Sequence, residues 1–265
     1  MFSGVEFNPN FKRKGEKRVK RSLWAVDLDN TLVTSSSDYG QASCDATKII
    51  MMALEHRAPR WIDIANFLEG INQSRLEEKR LMRDDFPSVL VESYRGLCNQ
   101  VGINSDPTVE KQLFEIGYSA LSEETYQKRQ MIPGAEETLY FIRRPDNPLF
   151  CVTLGDSRVQ WMKWRGYRLG RFFPTSREFL IVPKDKLETL IRLRLRYKDL
   201  PAFMVGDSIK SDLIPAHQAG FTSIYVPPPA IWDASEKTIE LPPGTIKLSK
   251  ISEIKERFDD LIRAD

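Results

Sequence analysis

Leu23-Trp24-Ala25-Val26-Asp27-Leu28-Asp29-Asn30-Thr31-Leu32 is the stretch from which the rest of the chain reads outward. Its first four residues form a continuous apolar run, the pattern of a strand buried on both faces. Two carboxylates follow, one residue apart, where that strand ends. Positions i and i+2 of a strand share a side. If the chain turns just after Asp27, both acids reach one pocket at the carboxyl edge, where open α/β sheets bind ligands. Two like charges about 4 Å apart at an effective dielectric of about 20 repel by on the order of 4 kcal/mol. A cation between them, or a proton on one, is therefore required. Alone, Asp-x-Asp is common, and Asp-Asn-Thr is also good turn chemistry; the rest of the chain decides its meaning.

Further apolar runs of the same kind lie at 149–152, 179–182 and 202–205, each ending at polar positions, and a fifth at 223–226 leads into Pro227-Pro228-Pro229. Helical patterns separate the later ones: Leu187, Leu190, Ile191 and Leu195 keep helical spacing, and 212–220 reads as a short helix ended by Gly220. Alternation of strand and helix predicts an α/β, doubly wound parallel sheet. The stretch from Thr34 to Met131 differs. It carries helical patterns at 49–55, 61–68, 89–101 and 109–121 and almost no strand-like run. We therefore expect a helical lobe over 35–130, inserted into a core made of 22–34 and 131–265. Pro133-Gly134 opens a helix over 135–143, and 252–262 reads as an amphipathic helix.

The other strand ends supply the remaining chemistry. Thr153-Leu154-Gly155 offers a hydroxyl and backbone N–H groups suited to a phosphate oxygen. Pro183-Lys184-Asp185-Lys186 places a lysine pair at a helix start, where one could neutralise a phosphate and a carboxylate together. Gly206-Asp207-Ser208-Ile209-Lys210-Ser211-Asp212 adds two acids. Four carboxylates around one cleft call for a divalent cation, and hard oxygen donors favour Mg²⁺.

Taken in order, Asp-x-Asp-x-Thr, a strand-end Thr, a Lys and Gly-Asp-(x)4-Asp resemble the haloacid dehalogenase (HAD) superfamily, in particular its phosphatase branch, which carries the second aspartate. The inserted helices resemble its C1-type cap. This resemblance covers about 22–34 and 130–228. It implies that Asp27 is the nucleophile, forming an aspartyl-phosphate, and also a metal ligand. Asp29 becomes the general acid and base, with its main-chain carbonyl on the metal. Thr153 holds the phosphoryl group, helped by N–H groups near Leu28, Asp29 and Leu154. Asp207 ligates the metal, and Asp212 ligates it or holds a metal-bound water. For the lysine, a capping box of Asp185 with Glu188 leaves Lys184 outside the helix facing the strand ends, 23 residues before Asp207. Lys184 is preferred on this ground, with Lys186 as the alternative.

Composition bounds the rest. The chain has 265 residues, 41% of them hydrophobic and 29% charged, and a net charge of +2, so bulk charge names no partner. No apolar stretch approaches the length of a membrane span, and 1–6 do not open a secretory signal. Cys44, Cys98 and Cys151 are few, odd in number and without zinc spacing, which fits a reducing compartment such as the cytoplasm. Basic residues crowd 12–21 (Lys12, Arg13, Lys14, Lys17, Arg18, Lys20, Arg21) in a leader over 1–21. Without interleaved aromatics or a recognition motif, this arm reads as solvated, and nucleic acid is not the expected partner. His56 and His217 read as surface residues, Trp61, Trp161 and Trp164 as packing, and Cys151 as an inert core filler. Arg75, Arg83 and Asp84 read as a solvated helical face. The expected activity is a Mg²⁺-dependent phosphomonoester hydrolase acting on a small phosphorylated metabolite under a closing cap. Its rivals are a phosphomutase or a dehalogenase on the same scaffold, and a non-enzymatic phosphate- or nucleic-acid-binding protein.

Overall fold

The computed structural model describes residues 21–34, 36–78, 85–144, 147–228 and 238–263. Residues 12–20 of the basic arm, with Arg83 and Asp84, lie outside them. Six strands form one parallel sheet in the order β3-β2-β1-β4-β5-β6. They are β1 (Leu23–Val26), β2 (Leu149–Leu154), β3 (Phe179–Val182), β4 (Ala202–Gly206), β5 (Thr222–Tyr225) and β6 (Ile246–Lys247). In register, Val26 stands beside Cys151 on one side and Val205 on the other. The strand order reverses direction at β1, which makes its carboxyl end the switch point of the sheet.

Alternation along the strands divides the core in two. Trp24, Val26, Cys151, Phe179, Phe203 and Val205 pack on one face. That face is covered by α6 (Ala135–Ile142), α7 (Ser157–Gly166), α10 (Glu253–Glu256) and α11 (Phe258–Arg263). Trp24 anchors it, stacked at 4.7 Å on Phe203 and 5.9 Å on Phe258, with its indole N–H donating to Ser22 Oγ. Leu23, Ala25, Phe150, Val152 and Met204 face the other way, against α8 (Leu187–Arg196) and α9 (Ile214–Gln218). Apolar side chains on both faces are what a buried parallel strand requires, and the doubly wound expectation is met.

Between β1 and β2 the chain inserts α1 (Ser36–Leu54), α2 (Trp61–Glu78), α3 (Asp85–Gln100), α4 (Pro107–Ser119) and the short α5 (Glu123–Gln127). Helices α1 to α4 close into a ring, with α1 against α2 and α4, and α3 against α2 and α4. Each of the four helical patterns read from the insert coincides with one of these helices, although 49–55, 89–101 and 109–121 run one or two residues past the ends of α1, α3 and α4. Asp106 caps α4 by accepting from Thr108 N at 2.7 Å, with Pro107 at the first helical position. The two connections of the insert lie side by side: Ile132 N donates to Leu32 O at 2.9 Å, and Val33 bridges Met131 antiparallel.

One expectation needs correction at the carboxyl end of the chain, and one strand there was not foreseen. The stretch 252–262 is not one helix but α10 and α11, interrupted at Arg257, while Ile254, Phe258 and Leu261 still share a buried face. The two-residue β6 carries no periodic signal of its own and exists because Leu248 N and the Ile246 register extend the edge of β5.

Candidate active site

Asp27 continues the alternation of β1. Leu23 and Ala25 point toward α8 and α9, and Asp27 follows them into the space where those helices begin. Its N–H donates to Val205 O at 2.9 Å, which fixes the strand end. The chain then turns sharply. Leu28 is fully buried, and its carbonyl accepts from Leu32 N at 2.9 Å and Val33 N at 3.0 Å. Asn30 takes a left-handed conformation at φ 55°, which asparagine tolerates better than most side chains. This turn carries Asp29 toward α7, on the opposite side of the sheet.

The two acids are thus neutralised from different layers. Lys186 Nζ donates to Asp27 Oδ1 and, at 2.5 Å, to Asp212 Oδ1. Lys163 Nζ, from α7, donates to Asp29 Oδ1 at 2.5 Å, and Gln160 Nε2 donates to Asp29 Oδ2 at 2.8 Å. Asp207, two residues beyond Val205, accepts from the buried Thr31 hydroxyl at 3.2 Å. Asp212 sits in the single π-helical turn Ile209–Leu213 and accepts from Ser208 N at 3.0 Å. Such turns recur at functional sites because they redirect one side chain without ending the helix. Gly206 makes the close approach possible: a Cβ there would lie 2.3 Å from Asp212 Oδ2.

Asp27, Asp207 and Asp212 are all buried and can offer one oxygen each within 4.8 Å of one another. Burial pushes Asp27 up to about 7 although Lys186 pulls it down, and Asp212 and Asp29 push it further. Asp207 rises well above the carboxylate range for the same reasons: burial first, then Asp212 and Asp27. Burial alone would lower Lys186, but Asp212 and Asp27 hold it above the ordinary lysine value. One ammonium therefore leaves the trio short of positive charge. Three hard oxygen donors converging in a buried, anion-rich space fit a divalent cation of the Mg²⁺ type.

Thr153 is buried at the end of β2, two residues past the partner of Val26, its hydroxyl making only a 3.4 Å contact to Leu154 O. Leu154 O also accepts from Gln160 Nε2 at 2.7 Å, so Leu154 helps orient α7. The lysine preference is overturned in geometry. Lys184 is exposed, whereas Lys186 is 1% exposed and reaches Asp27. The reason is the start of α8. No capping box forms; Asp185 instead accepts from Leu187 N at 3.1 Å, and Lys186 becomes the half-helical first residue, its side chain directed to the sheet edge. Lys163 and Gln160 were missed from the sequence. Their signal was present: Val159, Gln160, Met162, Lys163 and Gly166 form one buried stripe of α7, and two of them are strongly polar.

His56 and His217 are exposed; Trp61 is exposed too, against its reading as a packing residue; Trp161 packs against Phe179, Trp164 donates its indole N–H to Phe173 O at 2.9 Å, and Cys151 is fully buried. Arg75 pairs with Glu92 at 2.5 Å on the surface of α2 and α3. Among the described residues, no helix is long and apolar enough to cross a membrane.

Comparison with known proteins agrees with this architecture. No curated protein sequence matches the chain. Among solved structures, a haloacid dehalogenase-like family hydrolase from Xanthomonas campestris superposes with a TM-score of 0.69 at 21% identity, covering 96% of this chain and 95% of its own. The HAD-hydrolase YfnB of Bacillus subtilis, bound to magnesium, gives 0.51 at 20% identity over 89% and 98%. A predicted phosphoglycolate phosphatase from Haemophilus somnus gives 0.54 at 17% identity over 91% and 100%. Dehalogenases share the fold as well. The model of the family described as haloacid dehalogenase-like hydrolase matches residues 23–220, from the first residue of β1 to the glycine that ends α9. With that span holding Asp27, Asp29, Thr153, Lys186, Asp207 and Asp212 together, the chain belongs to the haloacid dehalogenase-like hydrolases.

Proposed function

We propose that the protein is a Mg²⁺-dependent phosphomonoester hydrolase that works through an aspartyl-phosphate on Asp27. The observation that supports this reading best is the pairing of two different acids at one strand end. Asp27 lies in the buried trio that fits a divalent cation, and Asp29 stands outside it as a separate proton-handling group. Displacement of halide from carbon needs neither the cation nor the second acid, so the dehalogenase alternative leaves both unexplained.

Mg²⁺, held by Asp27, Asp207 and Asp212 with the main-chain carbonyl of Asp29, would offset the phosphoryl charge and align it for in-line transfer. Asp27 attacks phosphorus through a carboxylate oxygen. Thr153 and Lys186, with N–H groups near Leu28, Asp29 and Leu154, hold the phosphoryl oxygens. Asp29 gives a proton to the departing alcohol oxygen. It then takes one from the water that attacks the phosphoenzyme, which releases inorganic phosphate and frees Asp27. Helices α1 to α5 act as the C1-type cap over 35–130. They choose a small phosphorylated metabolite by its leaving group and close over it. The three free thiols fit action in a reducing compartment, the cytoplasm.

The test is turnover of a panel of phosphomonoesters and of 2-haloacids, with Mg²⁺ and with EDTA. Phosphate release that needs Mg²⁺ and is abolished in Asp27→Asn, with the variant still folded, is the expected result. Halide release without phosphate release would replace the proposal with the dehalogenase reading. Phosphate moved within a sugar rather than released would point to a mutase.

A further inference from the structure

We propose that Lys163, with Gln160, is the positioning device for Asp29, so that the acid/base group is presented to the leaving oxygen by α7 of the core and not by the inserted helices. This rests on the phosphatase reading above. The sharp turn at Asn30 aims Asp29 away from the Asp27 trio, and a carboxylate on a loop would sample several rotamers. Here both of its oxygens are engaged, Oδ1 by Lys163 Nζ at 2.5 Å and Oδ2 by Gln160 Nε2 at 2.8 Å. The two donors come from adjacent turns of one helix and hold the carboxylate as a two-point clamp.

The clamp is itself held rigidly. Lys163 is 3% exposed and its ammonium lies 5.9 Å from the centre of the Tyr126 ring. Gln160 is 2% exposed, and its Nε2 also donates to Leu154 O at 2.7 Å, tying the helix to the end of β2. Gly155, at φ 136°, leaves room for it, since a Cβ there would lie 2.8 Å from Gln160 Nε2. Asp156 caps α7 by accepting from Arg158 N at 2.7 Å and Val159 N at 3.2 Å, which fixes where the first turn begins. Gln160 Oε1 is buried with no partner among the described residues. A buried amide oxygen left unsatisfied is costly, and its retention makes sense if the amide is oriented for Asp29 first.

The test compares two esters with Mg²⁺ present: 4-nitrophenyl phosphate, whose leaving group departs without much protonation, and glycerol phosphate, whose alcohol needs the proton. Because hydrolysis of the phosphoenzyme is common to both esters, the readout is kcat/KM, which covers the steps through departure of the alcohol: loss of a correctly aimed acid should lower it on glycerol phosphate by about 10²-fold in Lys163→Met, but on 4-nitrophenyl phosphate by under about 10-fold. Lys163→Arg should restore much of the loss, and Gln160→Leu should show the same ester dependence in milder form. Equal losses on both esters would reduce Lys163 to a structural residue and overturn the proposal. If wild type hydrolyses neither ester, the comparison moves to the phosphomonoesters of the panel, and the phosphatase reading fails if none of them is hydrolysed. A crystal structure of Lys163→Met then decides this one separately: Asp29 leaving Gln160 supports the clamp, and Asp29 unmoved refutes it. Should Lys163→Met not fold, the kinetics and crystal structure of Gln160→Leu carry both arms.

Discussion

Replacing Lys186 by methionine removes the one ammonium that touches Asp27 and Asp212, and the structure sets the consequence. Three carboxylates remain buried with oxygens within 4.8 Å of one another. At an effective dielectric of about 20, each fully ionised pair at that separation repels by about 3.5 kcal/mol. The folded variant will escape part of this by taking up a proton, so the net loss is bounded by what breaking a buried ion pair costs, about 3–5 kcal/mol. At about 2–4 °C per kcal/mol for a chain of this size, Tm should fall by roughly 6–20 °C. The pH dependence follows from Asp27. Its folded pKa of about 7 stands above the ordinary 3.8, so the folded state holds the extra proton between those values. The penalty for burying its charge is absent below about pH 4 and complete above about pH 7. Without Lys186 that window moves further up. The gap between variant and wild type, measured by thermal unfolding in EDTA, should therefore be larger near pH 8 than near pH 5.5. Mg²⁺ should raise the Tm of the variant at pH 8, because a divalent cation supplies the missing charge. A Tm within roughly 2 °C of wild type near pH 8 in EDTA would refute the argument that Lys186 neutralises the trio.

Two further outcomes are expected besides the Asp27 and Lys163 variants described above. Gly206→Ala puts a methyl 2.3 Å from Asp212 Oδ2 and 2.4 Å from its Cβ, so Asp212 must leave its position. The overpacking should cost about 1–3 kcal/mol, and calorimetric titration should show Mg²⁺ binding weakened; unchanged binding would remove Asp212 from the metal site. Glu110 on α4 is held down to about 2, first by Arg95 of α3 and then by Ser105. It therefore stabilises the helical insert above its ordinary 4.5, and that contribution is lost as pH falls toward 2. Solvent screening limits the amount to about 1 kcal/mol, so Glu110→Gln should lower Tm by a few degrees at neutral pH and by progressively less as pH falls toward 2.

The centre of the sheet was legible because β1 and β4 are buried on both faces, and a run such as Leu23–Val26 has no amphipathic alternative. Asp27, Asp29, Asp207 and Asp212 were legible because their spacing from strand ends is short and needs no tertiary information. The lysine was not. The helix α8 starts after Lys186, with the Asp185 side chain accepting from Leu187 N, a local choice that spacing alone does not make, and the burial of Lys186 depends on Asp27 and Asp212, which are distant in sequence. Lys163 and Gln160 were hidden differently. A polar residue on an apolar helical stripe shows that something awaits it, but only the turn at Asn30 reveals that Asp29 does. The break at Arg257 and the edge strand β6 fall below the length at which periodicity carries a signal.

The antiparallel bridge of Val33 with Met131 means that the helical insert leaves and re-enters the core at nearly one point. Nothing in the register of β1 against β2 or β4 passes through it. A segment joined this way behaves as a cassette: the scaffold could accept another lobe, or a short loop, between the same two residues without re-pairing a single strand. Selectivity and chemistry can then change independently, since both counter-cations of the paired acids, Lys186 and Lys163, stay behind on the scaffold when the lobe is exchanged.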